Sequence, residues 1–314
     1  KRLPQDGRIA LRLAGREVDL RVSTIPTGHG ERIVMRLLDK NKERLQLETL
    51  GMASDTLGKI DKLISRPHGI FLVTGPTGSG KSTTLYAALA RIDSNALNIM
   101  TVEDPVEYDI TGISQTQVNA KIDMTFARAL RSILRQDPDV VMIGEIRDLE
   151  TAEIAVQSSL TGHLVLATLH TNSAASTVTR MIDMGVESFL LSSTLMGILA
   201  QRLIRLLCPR CKEENTAMDA ETRAHYEIPD DMKIYRAVGC DYCSGTGYKG
   251  RTGIHELLVV DEEVQRLIHT NAPETEIEKY AVKNLGMRTL RMDGLRWLRD
   301  GKTTIEEIIS ITKE

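Results

Sequence analysis

The hydrophobic pattern changes period along this chain. Residues 1–38 alternate apolar and polar positions at strand period, in RIALRL, REVDLRVST and ERIVMRLLD, broken by AG and PTGHG. They predict part of a small antiparallel sheet. A polar connection, DKNKER, follows, then DTLGKIDKLIS, a helix capped by Asp55 and stopped by Pro67. From Gly69 strands and helices alternate. GIFLVTG, NIMTVED, DVVMIG and HLVLATLHT read as strands, with helices from Ser82, in TFARALRSILRQ and in LETAEIAVQSSL. That alternation predicts a mostly parallel sheet covered on both faces. AASTVTRMIDMG and ESFLLSSTLMGILAQRLIRLL both read as helical. The stretch from Cys208 to Cys243 is loop-rich, and short amphipathic helices follow from about Asp261.

These patterns divide the chain into a β-rich segment at 1–40, a linker at 41–54 and an α/β core at 55–207. A cysteine module at 208–247 and a helical region at 248–314 complete it. The chain opens at Lys1 without a methionine and is expected to be a fragment. No apolar run reaches the ~20 residues a bilayer-spanning helix needs, and no signal-peptide pattern opens the chain.

Charge and composition weigh against one class, a nucleic-acid translocase, and leave it the less favoured alternative. The formal net charge is −3, so no global positive field points to nucleic acid. Trp297 is the only tryptophan, and Phe71, Phe126 and Phe189 are the only phenylalanines, too few for a base-stacking platform.

The loop Gly75, Pro76, Thr77, Gly78, Ser79, Gly80, Lys81, Ser82, Thr83 lies between a predicted strand and a predicted helix and fits G-x-x-x-x-G-K-[ST]. Such a loop aims successive backbone N–H groups and a helix N-terminus at phosphate oxygens. Lys81 is expected on the β- and γ-phosphates and the Ser82 hydroxyl on Mg²⁺. Hydrolysis also needs a carboxylate to orient water. One source is Glu145 in VVMIGEIRD, where Gly144 stands in the place of the usual aspartate. The other is TVEDPVE, with Glu103, Asp104 and Glu107, which also reads as an acidic, proline-broken turn. Arg128, Arg131 and Arg135 share one helix face opposite Ala127, Leu130 and Leu134, either as a solvated face or as phosphate ligands.

Cys208, Cys211, Cys240 and Cys243 form two C-x₂-C pairs with 28 residues between them. Four thiolates make the closed tetrahedral site that Zn²⁺ prefers; redox pairs and buried thiols are the alternatives.

In order, GPTGSGKST, TVEDPVE, VVMIGEIRD and GHLVLATLHTN resemble the Walker A, aspartate-box, Walker B and histidine-box motifs of the secretion ATPases of type II secretion and type IV pili. The cysteine pairs and RVSTIPTGHGERIVMRLLDK are most similar to the general secretory pathway protein E branch. The resemblance implies an α/β fold: a RecA-like P-loop NTPase core with a mostly parallel sheet. A small antiparallel α+β (PAS-like) domain would precede it, and a four-cysteine zinc insert would follow. It implies a cytoplasmic ATPase that uses ATP, Mg²⁺ and Zn²⁺ to power pseudopilus assembly, with pilus extension as the alternative. Glu107 would activate water, Glu145 would stand on the metal side, Glu103 would support magnesium and its waters, and His170 would sense the γ-phosphate; His163 begins the same strand. Arg21, Arg36, Arg131, Arg135, Arg147 and Arg180 hold family arginine positions, some serving a neighbouring subunit. The implied partners are further copies of the chain in a hexamer, and L-type recruiter and F-type platform proteins of the inner membrane. Association would be peripheral, and no nucleic acid is implied.

Overall fold

A computed structural model describes residues 3–13, 16–39, 46–218, 220–226, 228–229 and 231–312. The strand-period N-terminus forms an antiparallel sheet of β1 (Gln5–Leu13), β2 (Arg16–Thr27) and β3 (Gly30–Asp39), with β2 in the middle. The AG break and most of DKNKER lie outside the described residues. A 3-10 turn at Leu47–Leu50 leads into α1 (Ser54–Ile64). Asp55 does not cap this helix, whose N-cap is Ala53. Its carboxylate instead takes two bonds from the Arg288 guanidinium, at 2.9 and 2.7 Å.

The core is one seven-stranded sheet. Its strands are β4 (Gly69–Thr74), β5 (Ile99–Glu103), β6 (Ser114–Gln117), β7 (Val140–Ile143), β8 (Leu164–Leu169), β9 (Leu195–Leu207) and β12 (Tyr248–Val259), in the order β12-β9-β4-β8-β7-β5-β6. Every neighbouring pair is parallel except β12 with β9. β4 and β8 are buried at every position, as uninterrupted apolar runs must be when helices cover both faces. One face packs on α1 and α2 (Lys81–Leu89). The other packs on α3 (Phe126–Ile133), α4 (Leu149–Leu160), α5 (Ala174–Asp183) and α6 (Ser188–Thr194). The two-stranded pair β10 (Glu213–Glu214) and β11 (Tyr235–Arg236), with α7 (Ala220–His225) between them, belongs to the cysteine-bearing stretch. Helices α8 (Glu262–His269), α9 (Glu274–Leu285), α10 (Leu290–Arg299) and α11 (Ile305–Thr312) end the chain, as their periodicity predicts.

Two segments differ from the sequence reading. ESFLLSSTLMGILAQRLIRLL is not one helix: α6 stops at Thr194, and the chain extends as β9, the longest strand of the sheet. A long apolar run suits a buried strand and a buried helix equally. Gly197 is the local mark of the strand, because a Cβ there would stand 2.8 Å from Leu63 Cδ1. The segment read as helical from 248 also opens with a strand, β12, which runs antiparallel along β9. β9 therefore has partners on both sides, and its residues 200–202 lie directly behind the loop that follows β4.

Candidate functional site

The C-terminal ends of β4, β5, β7 and β8 bring the four motifs to one edge of the sheet, where ligands bind in open α/β folds. Between β4 and α2 the loop Gly75–Gly80 curls tightly. Gly75 and Gly80 have φ of 150° and 90°. A Cβ on Gly75 would lie 2.4 Å from the Gln201 carbonyl oxygen, and one on Gly80 2.7 Å from Gln201 Nε2. At Gly75 backbone conformation and close approach to a backbone oxygen both demand glycine; at Gly80 the positive φ does. Pro76, Thr77, Gly78 and Ser82 are exposed at the mouth, Thr83 is half-buried, and Ser79 is buried.

Lys81 is buried and folded back on its own loop. Its Nζ donates to the carbonyls of Gly75 at 2.7 Å and Pro76 at 3.1 Å, and lies 3.4 Å from His170 Nδ1. Burial pulls the ammonium down to about 8, and the Arg202 charge adds to this while Glu145 opposes it. His170 Nε2 stands 3.0 Å from Glu145 Oε1. Burial first, and then the Lys81 charge, hold the imidazole below its ordinary range. A neutral ring between an ammonium and a carboxylate accepts at Nδ1 and carries its proton on Nε2. Arg147 Nε closes the chain on Glu145 Oε2 at 2.7 Å.

The aspartate box is built on a buried carboxylate. Glu103 Oε1 accepts from Thr101 Oγ1 at 2.5 Å and Gln115 Nε2 at 3.0 Å, and its Oε2 accepts the Tyr86 hydroxyl. That hydroxyl in turn accepts the Glu107 backbone N–H at 3.1 Å. Burial and Glu103 raise the Tyr86 pKa, so its proton stays in place. Glu103 therefore spends both oxygens inside the protein and fixes the turn that presents Glu107. The Glu107 carboxylate is half-buried and accepts from Arg21 Nη2 of the N-terminal sheet at 2.9 Å.

Gly144 has a packing reason. A Cβ there would sit 3.2 Å from the Val102 carbonyl oxygen and 3.3 Å from Glu103 Cα, so a side chain would need β5 to give by a few tenths of an ångström. The carboxylate falls one residue later, at Glu145.

The remaining arginines are dispersed. Arg36 is the cross-strand partner of Arg21 and is exposed. Arg131 on α3 pairs with Glu150 at 2.6 Å, Arg135 in the 3-10 turn after it donates to the Arg131 carbonyl at 2.9 Å, and both are exposed. Arg128 turns to Asp123. Ala127 and Leu130 are buried beneath them, and Leu134 is half-buried. Arg180 lines a polar cavity of about 740 Å³ with Asn172, Arg202 and Glu256. His163 sits at the other end of β8, where its Nδ1 lies 2.8 Å from the Ser158 carbonyl, a turn role away from the phosphate loop.

Gln201 and Arg202 escape the sequence reading. Both are buried on β9 against the loop and the histidine box, and their one signal is a polar pair inside MGILAQRLIRLL. Tyr86 and Gln115, which hold Glu103, carry no motif signal.

At the far end of β9 the four cysteines converge as free thiols, with their sulfurs within 4.8 Å of one another. Cys208–Cys240, Cys211–Cys243 and Cys240–Cys243 are separated by 3.9, 3.8 and 3.8 Å. Four sulfurs bound tetrahedrally at about 2.3 Å to one ion stand about 3.8 Å apart. Backbone N–H groups of Gly239, Cys240 and Gly247 point at Sγ of Cys211, Cys243 and Cys243 at 3.3, 3.2 and 3.2 Å, a donor set suited to thiolates. Burial pushes the Cys243 thiol up, but the Cys240 and Gly247 N–H donors, together with the neighbouring Cys240 and Cys211 thiols, hold it at about 6.

A glycine loop between a parallel strand and a helix, its lysine buried, defines a P-loop nucleotide-binding protein with a RecA-like core. The family model for the type II/IV secretion system protein matches residues 1–310, and the chain belongs to that family. It is 64% identical to type II secretion system protein HxcR of Pseudomonas aeruginosa and 60% identical to type II secretion system ATPase E of Vibrio cholerae. All of this chain is covered, against 63% and 62% of those proteins. It thus spans just under two thirds of the length of these curated relatives. Among solved structures, the pilus retraction motor PilT with bound ADP superposes with a TM-score of 0.72 at 28% identity, covering 99% of this chain and 78% of that one. The ATPase DotB of Legionella pneumophila, at 21% identity and a TM-score of 0.70, shares the fold over 98% of this chain and 77% of its own.

The buried lysine generates a measurable consequence. A phosphate brought against Nζ favours the ammonium, so binding raises its pKa above about 8. Calorimetry at about pH 8.5 in buffers of different ionisation enthalpy should therefore register proton uptake when ATP binds, and affinity should fall as pH rises further. Binding with no proton uptake, at an affinity flat to pH 9.5, would contradict the placement of Lys81.

Proposed function

We propose that this chain is the ATP-hydrolysing part of a type II secretion assembly ATPase, working as a hexameric ring on the cytoplasmic face of the inner membrane. The observation that carries the reading is the chain of contacts from Lys81 through His170 to Glu145 at one sheet edge, in a chain 54–64% identical to proteins named for type II secretion. Those names favour secretion over pilus extension. In this reading membrane association is peripheral and made through inner-membrane platform proteins; among the described residues no helix is long and apolar enough to cross a membrane.

In this reading Lys81 would leave the loop carbonyls to face the β- and γ-phosphates of ATP. Ser82 is the loop hydroxyl for the metal and Glu145 the carboxylate on its side. Glu107 orients the attacking water once Arg21 is drawn from it to phosphate charge. Arg36, Arg147 and Arg180 serve the same charge. Arg131 and Arg135, which this chain leaves exposed, are assigned to a neighbouring subunit's site. An arginine supplied across an interface can contribute ~10³ or more in rate, which gives assembly a chemical reason. Zn²⁺ on Cys208, Cys211, Cys240 and Cys243 would be structural, since four thiolates leave no open position.

Two experiments test this. In a phosphate-release assay Glu107→Gln should keep ATP binding while turnover drops by at least ~100-fold; near-normal turnover would move the base to Glu145. Cys240→Ser should lose one equivalent of zinc by metal analysis and loosen the 208–247 lobe while nucleotide still binds. Wild-type protein free of zinc would contradict the metal assignment.

A further inference from the structure

We infer that Gln201 is a positioning residue for the phosphate cradle, a strut that holds the loop open for an anion. This rests on the reading of the loop as an ATP site.

A phosphate loop aims its backbone N–H groups forward at the ligand, so its carbonyls must turn back into the protein, where each needs a donor. Behind this loop stands β9. The Gln201 side chain is only 3% exposed, and its Nε2 donates to the Ser79 carbonyl at 2.6 Å. Its Oε1 accepts the Thr84 hydroxyl, from the first turn of α2, at 2.7 Å. The amide has one workable orientation: a carbonyl only accepts, so the nitrogen faces Ser79 and the oxygen faces Thr84. One side chain thus ties both the loop and the helix that follows it to the sheet.

The same step of β9 reaches the histidine box. Arg202 Nη2 donates to the Asn172 carbonyl at 2.9 Å and to its Oδ1 at 3.2 Å, two residues beyond His170. The Gln201 carbonyl faces Gly75, where it excludes any side chain. Loop and sensor histidine are therefore registered against two consecutive residues of one strand. Lys81 covers the Gly75 and Pro76 carbonyls here, but it must leave them to meet phosphate. Gln201 has no second task, and its bond to Ser79 can persist through the cycle.

The strut acts through the loop on ground state and transition state alike, so its removal should raise KM and spare kcat. A role in folding alone would do the opposite, lowering the active fraction and leaving KM unchanged. Gln201→Leu keeps the volume and leaves Ser79 unpaired; it should raise KM for ATP and Kd for a non-hydrolysable analogue about tenfold, with kcat within about twofold. Thr84→Val should shift both in the same direction by less. Gln201→Glu supplies a second readout. Protonated, the new carboxyl can donate to the Ser79 carbonyl; ionised, it cannot. Burial raises its pKa, so affinity in this variant should recover toward wild type as pH falls from 8 to 6. Wild-type protein and Lys81→Ala are measured alongside. Unchanged KM in Gln201→Leu, a fall in kcat alone, or no recovery at low pH in Gln201→Glu would each overturn the strut. Wild-type protein that fails to bind the nucleotide would instead overturn the reading of the site.

Discussion

The structure depends on one constraint of backbone polarity. A loop that turns its N–H groups outward to an anion must bury its carbonyls, and buried carbonyls need donors. Here β9 lies directly behind the loop and Lys81 folds beneath it. That arrangement dictates glycine at 75, where the β9 backbone comes too close for any Cβ, while at 80 a φ of 90° favours glycine. It also explains why β9 is flanked by β4 and β12: a strand that buttresses a site is held best from both edges. From β12, Glu256 continues the scaffold by accepting the N–H groups of Ala174 and Leu290 at 2.7 and 3.2 Å, which fixes the starts of α5 and α10.

A second buried group arranges the acidic side. Glu103 is almost wholly enclosed, and its hydrogen bonds to Tyr86, Thr101 and Gln115 offset the cost of burying a carboxylate. Through the Tyr86 hydroxyl it sets the height of Glu107, leaving that carboxylate half-buried at the rim with Arg21 beside it. The end of β5 and the turn after it thus give two glutamates separate environments. The N-terminal sheet is part of this arrangement, since Arg21 on β2 makes the contact across to the core.

Motif chemistry was legible because it is local. The P-loop, the two cysteine pairs and the strands around Phe71 and Leu166 announce themselves within a few residues, and the structure puts them where their patterns imply. What the sequence concealed is non-local. An apolar run such as MGILAQRLIRLL has no period that separates strand from helix, so β9 and its polar pair Gln201–Arg202 went unread. Asp55 has the chemistry of an N-cap, but Arg288, far along the chain, claims its carboxylate. Gln115 and Tyr86, neither carrying a motif, hold the two oxygens of Glu103, a set of partners with no local signal. Arg131 and Arg135 are exposed on the face the periodicity gives them, and no group of the phosphate loop is bonded to them.

The account turns on the loop carrying ATP with Lys81 released from its own carbonyls. A structure of the full-length protein with magnesium and a non-hydrolysable ATP analogue tests this most directly. The account predicts phosphates cradled at Gly75–Thr83, Lys81 Nζ moved from the Gly75 and Pro76 carbonyls onto phosphate oxygens, and Gln201 still bonded to Ser79. An analogue bound elsewhere, or a loop in which Lys81 keeps its carbonyls with nucleotide present, would contradict it.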